Sequence, residues 1–246
     1  MRRTLVQHTI IQLYWCDLRL RPSLGGKFTL YQAIILYRKY KPSSIFTGTR
    51  LLPQGQVLIC NADGSIESIV SSRDAGDDVE ELDGTLTPGF INAHCHIELS
   101  HFKGMIPEHT GLVNFVQQVM SRRNEKREEE KQAAIETAAA ELYESGTVAV
   151  GDICNTTDSI FIKKNSPLYW HNFIEVTGFT DTAARKRCSE AETILHQFET
   201  QLSTFNFQLA TLSPHAPYSV SKTLFELLNE KSGGQLITIH NQEAAA

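Results

Sequence analysis

The apolar positions of the chain change texture twice, near Ser44 and again near Thr87. Before residue 44 there are apolar patches at 9–15 and 30–37 but no sustained helical or strand period, so residues 1–43 read as an N-terminal extension, either a poorly ordered tail or a misassigned start. From Ser44 come short β-type runs at 44–47, 56–60 and 65–70. The stretch Asn61-Ala62-Asp63-Gly64 joins the last two with turn chemistry, since Gly64 tolerates positive φ. Residues 74–83 are acidic and read as an exposed connection.

Beyond the break at Thr87-Pro88-Gly89 the pattern alternates. A short apolar strand at 90–93 is followed by helical spacing at Leu112, Phe115, Val116 and Val119. Residues 122–131 are nearly all charged and read as the solvated face of a helix, which Ala134, Ile135, Ala138 and Leu142 continue until Gly146 ends it. Residues 147–153 and 172–176 are β-branched buried runs, and 182–204 is amphipathic and helical through Ile194, Leu195, Phe198 and Leu202. A strand at 207–212, a helix at 221–230 with Ser221 as N-cap, and a fifth strand at 235–239 complete the series. Five alternations predict an α/β fold with a parallel sheet and right-handed crossovers. At 246 residues the chain approaches the roughly 250 residues of a (β/α)8 barrel.

Composition narrows the class. Hydrophobic residues at 41% and charged residues at 21% are ordinary globular values. A net charge of -5 and a pI near 6.0 offer no basic surface for a phosphate backbone, which disfavours nucleic acid and leaves a small-molecule substrate as the expected partner; a homodimer is compatible with this reading. Cys16, Cys60, Cys95, Cys154 and Cys188 are odd in number and form no CxxC pair, against a disulfide framework or thiolate zinc site. No stretch is apolar for long enough to span a membrane, and Arg2-Arg3 with the interrupted run after it resembles a signal peptide only loosely. The expected location is cytoplasmic.

Polar residues gather where the expected strands end: His94 and His96, Asp152, Glu175, His215, and His240 with Glu243. Strand side chains alternate, so His94 and His96 share a face and could grip one metal ion, while Cys95 points away. A satisfied surface pair is the alternative. Chance would scatter histidines over helices and loops, yet four of the nine lie at strand ends, and that favours a metal site at a barrel mouth.

Four stretches resemble the amidohydrolase superfamily, in its branch of cytosine, guanine and S-adenosylhomocysteine deaminases and triazine chlorohydrolases. They are Pro88-Gly89-Phe90-Ile91-Asn92-Ala93-His94-Cys95-His96, Gly146-Thr147 with Gly151-Asp152, Ser213-Pro214-His215-Ala216-Pro217-Tyr218, and His240-Asn241-Gln242-Glu243. Glu98-Leu99-Ser100 is similar to a subgroup that includes aminodeoxyfutalosine deaminases. The resemblance implies a metal-dependent (β/α)8 barrel, here its first five strands at 87–246, with residues 44–86 as part of a β-sandwich. It implies His94, His96 and His240 as ligands of one divalent metal, zinc or else iron; Glu243 as the proton-shuttling carboxylate; and His215 and Glu98 as substrate contacts. The implied activity is hydrolytic deamination of a purine- or adenosine-like amine. Dechlorination, cyclic-amide opening and a non-catalytic fragment are the rivals. The family pattern also needs a sixth-strand histidine and an eighth-strand aspartate, which this sequence does not reach, so the expectation is of a truncated chain.

Overall fold

A computed structural model describes residues 10–12, 37–202 and 209–242. The chain divides into two compact units, with the boundary between Phe90 and Ile91.

The first unit is a five-stranded sheet. Its strands are β1 (Ile10–Gln12), β2 (Tyr37–Ile45), β3 (Gln56–Asn61), β4 (Ile66–Ser71) and β5 (Val79–Thr87), in the order β1-β5-β2-β3-β4. The β3–β4 hairpin closes as the turn chemistry dictates, with Gly64 at φ 89° donating its N–H to the Asn61 carbonyl at 2.9 Å. Tyr40, Ile45, Leu58, Cys60 and Leu86 form the core of this unit.

Two expectations are corrected here. Residues 79–83, expected as a solvated connection, belong to β5 and pair in parallel with β2 from Lys39↔Val79 to Pro42↔Leu82. A ladder needs only backbone donors and acceptors, so exposed acids such as Glu80 and Glu81 can ride on it, and Lys41 meets Glu81 at 2.8 Å. Regular structure also begins before Ser44: β2 starts at Tyr37, and β1 pairs with β5 in parallel from Ile10↔Thr85 to Gln12↔Thr87. Residues 1–9 and 13–36 lie outside the described residues.

The second unit carries a four-stranded sheet of β6 (Phe90–Cys95), β7 (Thr147–Cys154), β8 (Tyr169–Val176) and β9 (Leu209–Pro214), in that order. β7 and β8 pair in parallel, as do β8 and β9. The helices are α1 (Leu112–Arg122), α2 (Glu128–Glu144), α3 (Ile160–Lys163), α4 (Ala184–Leu202) and α5 (Lys222–Lys231). The charged run expected as one helical face is therefore divided between α1 and α2. Ser221 caps α5 as expected, its hydroxyl accepting from the Leu224 N–H at 3.3 Å.

Two clusters hold this unit together. Ile174, Leu212, Phe198, Leu224 and Leu228 join β8 and β9 to α4 and α5, while Ile97, Ile135, Val150, Leu168 and Trp170 join β7 and β8 to α2. Each such aliphatic or aromatic side chain contributes about 1.5–3 kcal/mol by leaving water. Gly151 is required by proximity, because a Cβ there would stand 2.6 Å from the Ala93 carbonyl oxygen on β6.

The expected fifth strand does not join the ladder. Residues 235–240 run past β9 without a strand's paired backbone, and the sheet stays open among the described residues. Side-chain hydroxyls replace ladder partners: Thr211 Oγ1 donates to the Leu236 carbonyl at 2.9 Å, and Ser213 Oγ accepts from the Thr238 N–H at 3.3 Å. Leu236, Ile237 and Ile239 remain exposed, so the apolar burial that the pattern promised is missing here.

Candidate metal centre

His94 is the last residue but one of β6, and His96 follows the strand's end, where a 3-10 turn over Ile97–Phe102 begins. The alternation that put both rings on one face is realised, with His94 Nε2 and His96 Nε2 3.2 Å apart. His240 arrives from the other edge of the sheet, positioned by its own N–H, which donates to the His215 carbonyl at 2.7 Å. Its ring centre lies 4.5 Å from that of His94 and 5.2 Å from that of His96. One ligand atom from each of the three lies within 4.8 Å of the others.

The set fits a metal ion on two counts. Two imidazole nitrogens at zinc-like bond lengths on a tetrahedral ion stand about 3.3 Å apart, close to what His94 and His96 show. Ligating imidazoles must also be neutral. Burial, together with the neighbouring rings of His240 and His94, pushes His96 down to about 4, so it carries no proton charge near neutrality.

Behind the histidines lies a polar layer that the sequence reading did not assign to the site. Asp152, fully buried at the end of β7, accepts the Ile97 N–H on Oδ1 at 2.9 Å and so fixes the backbone next to His96. Its Oδ2 takes Lys163 Nζ at 2.5 Å, and that ammonium also donates to Ser159 Oγ at 2.8 Å and Asn172 Oδ1 at 2.7 Å. Burial alone would lower Lys163, but Asp152 and then Cys154 outweigh it and hold the ammonium above its ordinary value. Asp152 was visible as a polar residue at a strand end. Lys163 gave no sign, since a lysine after the three apolar residues Ile160, Phe161 and Ile162 and before Lys164 reads as a surface position.

Glu98 was expected to touch substrate. Its side chain is 2% exposed and is engaged by protein donors: Arg123 on Oε1 at 2.6 Å, and on Oε2 the Asn155 N–H at 3.1 Å and the Thr156 N–H and hydroxyl at 3.0 and 2.9 Å. Burial pushes its carboxyl up, against the opposing pull of Arg123 and Thr156. His215 stands beside His240, ring centres 5.0 Å apart, with Nδ1 held 2.6 Å from Ser219 Oγ. Glu175, His215 and His240 form a second group whose ligand atoms lie within 4.8 Å of one another, which the sequence reading did not single out as a site. Glu243 lies outside the described residues.

Residues 85–245 match the profile described as "Amidohydrolase family". The chain belongs to the amidohydrolase family. The family is metal-dependent, in accord with the histidine group. Among curated amidohydrolase relatives, a 5'-deoxyadenosine deaminase of Methanococcus maripaludis is 29% identical over 206 residues, covering 77% of this chain and 44% of the relative. An adenosine deaminase of Helicobacter pylori is 31% identical over 140 residues, 56% of this chain and 32% of the relative. The fold is shared with the crystal structure of Helicobacter pylori aminofutalosine deaminase in complex with methylthio-coformycin, at TM-score 0.69 and 22% identity over 84% of this chain and 51% of that one. An adenosine deaminase from Xanthomonas campestris with bound zinc superposes at TM-score 0.65 and 16% identity, covering 84% and 49%. This amidohydrolase chain thus spans about half the length of the relatives it matches. No helix among its described residues is long and apolar enough to cross a membrane.

Proposed function

We propose that the chain carries the metal-binding part of a hydrolase that deaminates an adenosine-like amine, with His94, His96 and His240 as ligands of one divalent ion, zinc in the first instance. The observation that carries this reading is the convergence of three imidazoles from β6 and the segment after α5, within one ion's reach. The 5'-deoxyadenosine and adenosine deaminases among its relatives support the substrate class.

When bound, the ion supplies a water whose pKa is lowered toward neutrality. Glu243 would move two protons in turn, one from that water to the ring nitrogen and then one from the newly formed hydroxyl on the ring carbon to the departing amine, so that ammonia leaves. His215, its Nδ1 occupied by Ser219, orients the substrate ring. Glu98 acts indirectly: by clamping Asn155 and Thr156 it shapes the loop beside the site. Imidazole ligands suit zinc and iron alike, so metal analysis of the purified protein decides between them.

The test is ammonia release by the zinc-loaded protein from a panel of adenosine-like amines, alongside His94→Ala. Release from the native protein and its loss in the variant support the reading. Hydrolysis of a chlorotriazine or cyclic amide with no ammonia from any amine overturns it.

A further inference from the structure

The site contains a titratable group that the reaction as proposed does not use. Glu175, near the end of β8, places Oε1 3.3 Å from His240 Nε2, and both side chains are largely shut off from solvent. Its second oxygen is not idle: Oε2 accepts from Asn155 Nδ2 at 3.0 Å. Asn155 in turn gives its backbone N–H to Glu98, which Arg123 pins from the far side. A continuous run of polar contacts thus passes along the strand ends, from Arg123 through Glu98, Asn155 and Glu175 to His240.

We infer that Glu175 is a positioning residue for the third metal ligand, fixing the tautomer and ring angle of His240 so that Nδ1 is the nitrogen that meets the ion. This rests on the reading of His94, His96 and His240 as a metal site. A neutral imidazole bears one proton, and the charge of a carboxylate 3.3 Å from Nε2 favours the proton on that nitrogen, which leaves the lone pair on Nδ1. Carboxylates behind ligating histidines raise ligand basicity and fix orientation, and removing them costs 10- to 100-fold in metal affinity. His240 needs such support more than its partners do, because it sits on a segment outside the sheet's ladder whereas His94 is held in β6.

The same atoms admit a rival arrangement, a second cation held by Glu175, His215 and His240. For His240 to serve that ion through Nε2 and the first through Nδ1, its ring would have to give up its only proton, which a neutral imidazole resists.

The experiment is cobalt(II) titration of the chain, followed by the visible absorption of the bound ion, on native protein, Glu175→Ala, Glu175→Gln and His240→Ala. One ion per native chain is expected, with affinity about 10- to 100-fold weaker in Glu175→Ala and an altered band shape. Glu175→Gln keeps an oxygen that accepts the ring N–H and should recover part of the loss. Asn155→Ala, which removes the donor to Oε2 but leaves the charge, should weaken binding less than Glu175→Ala, and it carries the test should Glu175→Ala not fold. Equal affinity in native and Glu175→Ala chains overturns the positioning role alone. Two ions per native chain, falling to one in Glu175→Ala, overturns it in favour of the second cation. No binding by the native chain, or binding unchanged in His240→Ala, overturns the metal reading and the inference with it.

Discussion

Lys163 Nζ meets Asp152 Oδ2 at 2.5 Å with both side chains fully buried, while the other oxygen of Asp152 holds the Ile97 N–H beside His96. One carboxylate therefore serves both a structural ion pair and the backbone that follows a candidate metal ligand. Removing one partner strands a buried charge, at a cost of about 3–5 kcal/mol. Lys163→Met should lower unfolding stability by that amount in urea titration. Lys163→Met combined with Asp152→Asn, which removes both charges, should recover part of it. A Lys163→Met chain as stable as the native one would show that the pair is not held as described.

Gly151 should tolerate no side chain. Its Cβ position lies 2.6 Å from the Ala93 carbonyl oxygen, a backbone atom of the strand that carries His94. Gly151→Ala must push β6 and β7 apart, with a loss on the order of 1–3 kcal/mol, the usual range for overpacking. Because the displaced strand bears His94, cobalt affinity should fall in the same variant. Calorimetry and metal titration together check this, and unchanged melting would refute the close approach.

Cys154 should make stability fall at alkaline pH. Burial, then the neighbouring Asp152, raises its thiol well above the ordinary value of 9.0. The folded chain keeps this proton where an unfolded chain releases it, so the contribution is complete below about pH 9 and is lost as pH rises beyond. Cys154→Ala should flatten the decline in melting temperature between pH 8 and 10. Iodoacetamide should label Cys154 only after unfolding, and rapid labelling of the folded chain would contradict its burial.

Metal removal should be visible as lost stability. An ion that binds only the folded chain, at a hundred times its dissociation constant, adds about 2.7 kcal/mol. Chelation of the zinc-loaded chain should therefore lower its melting temperature, and His96→Ala should abolish the difference. Equal melting with and without chelator in the native chain would argue that the histidines hold no ion.

The strand-end histidines were legible because a period of two is simple arithmetic: His94 and His96 had to share a face. Likewise Asn61 to Gly64 announced a turn that the hairpin shows. What stayed hidden depended on partners distant in sequence. Lys163 is buried only because Asp152, Ser159 and Asn172 surround its ammonium, and no local pattern encodes that enclosure. The protein partners of Glu98 were equally hidden, since Arg123 and Thr156 reach it from 25 and 58 residues away. Residues 79–83 look solvated because their side chains are, while their backbone pairs with β2. The reverse error fell at 235–239, an apolar run with nothing among the described residues to bury it.

That run has a thermodynamic consequence. The backbone leading to His240 is fastened by the Thr211 and Ser213 hydroxyls and by the His240 N–H, with no ladder behind it. Local opening of so thin an attachment costs far less than global unfolding. An ion held by all three imidazoles would oppose that opening with its own binding energy, as a clasp closes a loose strap. The apparent affinity for metal is then the intrinsic affinity discounted by the fraction of time the strap lies down. Amide exchange at Leu236, Thr238 and His240 would report it directly, slowing on metal addition while the amides within β8 hold their rates.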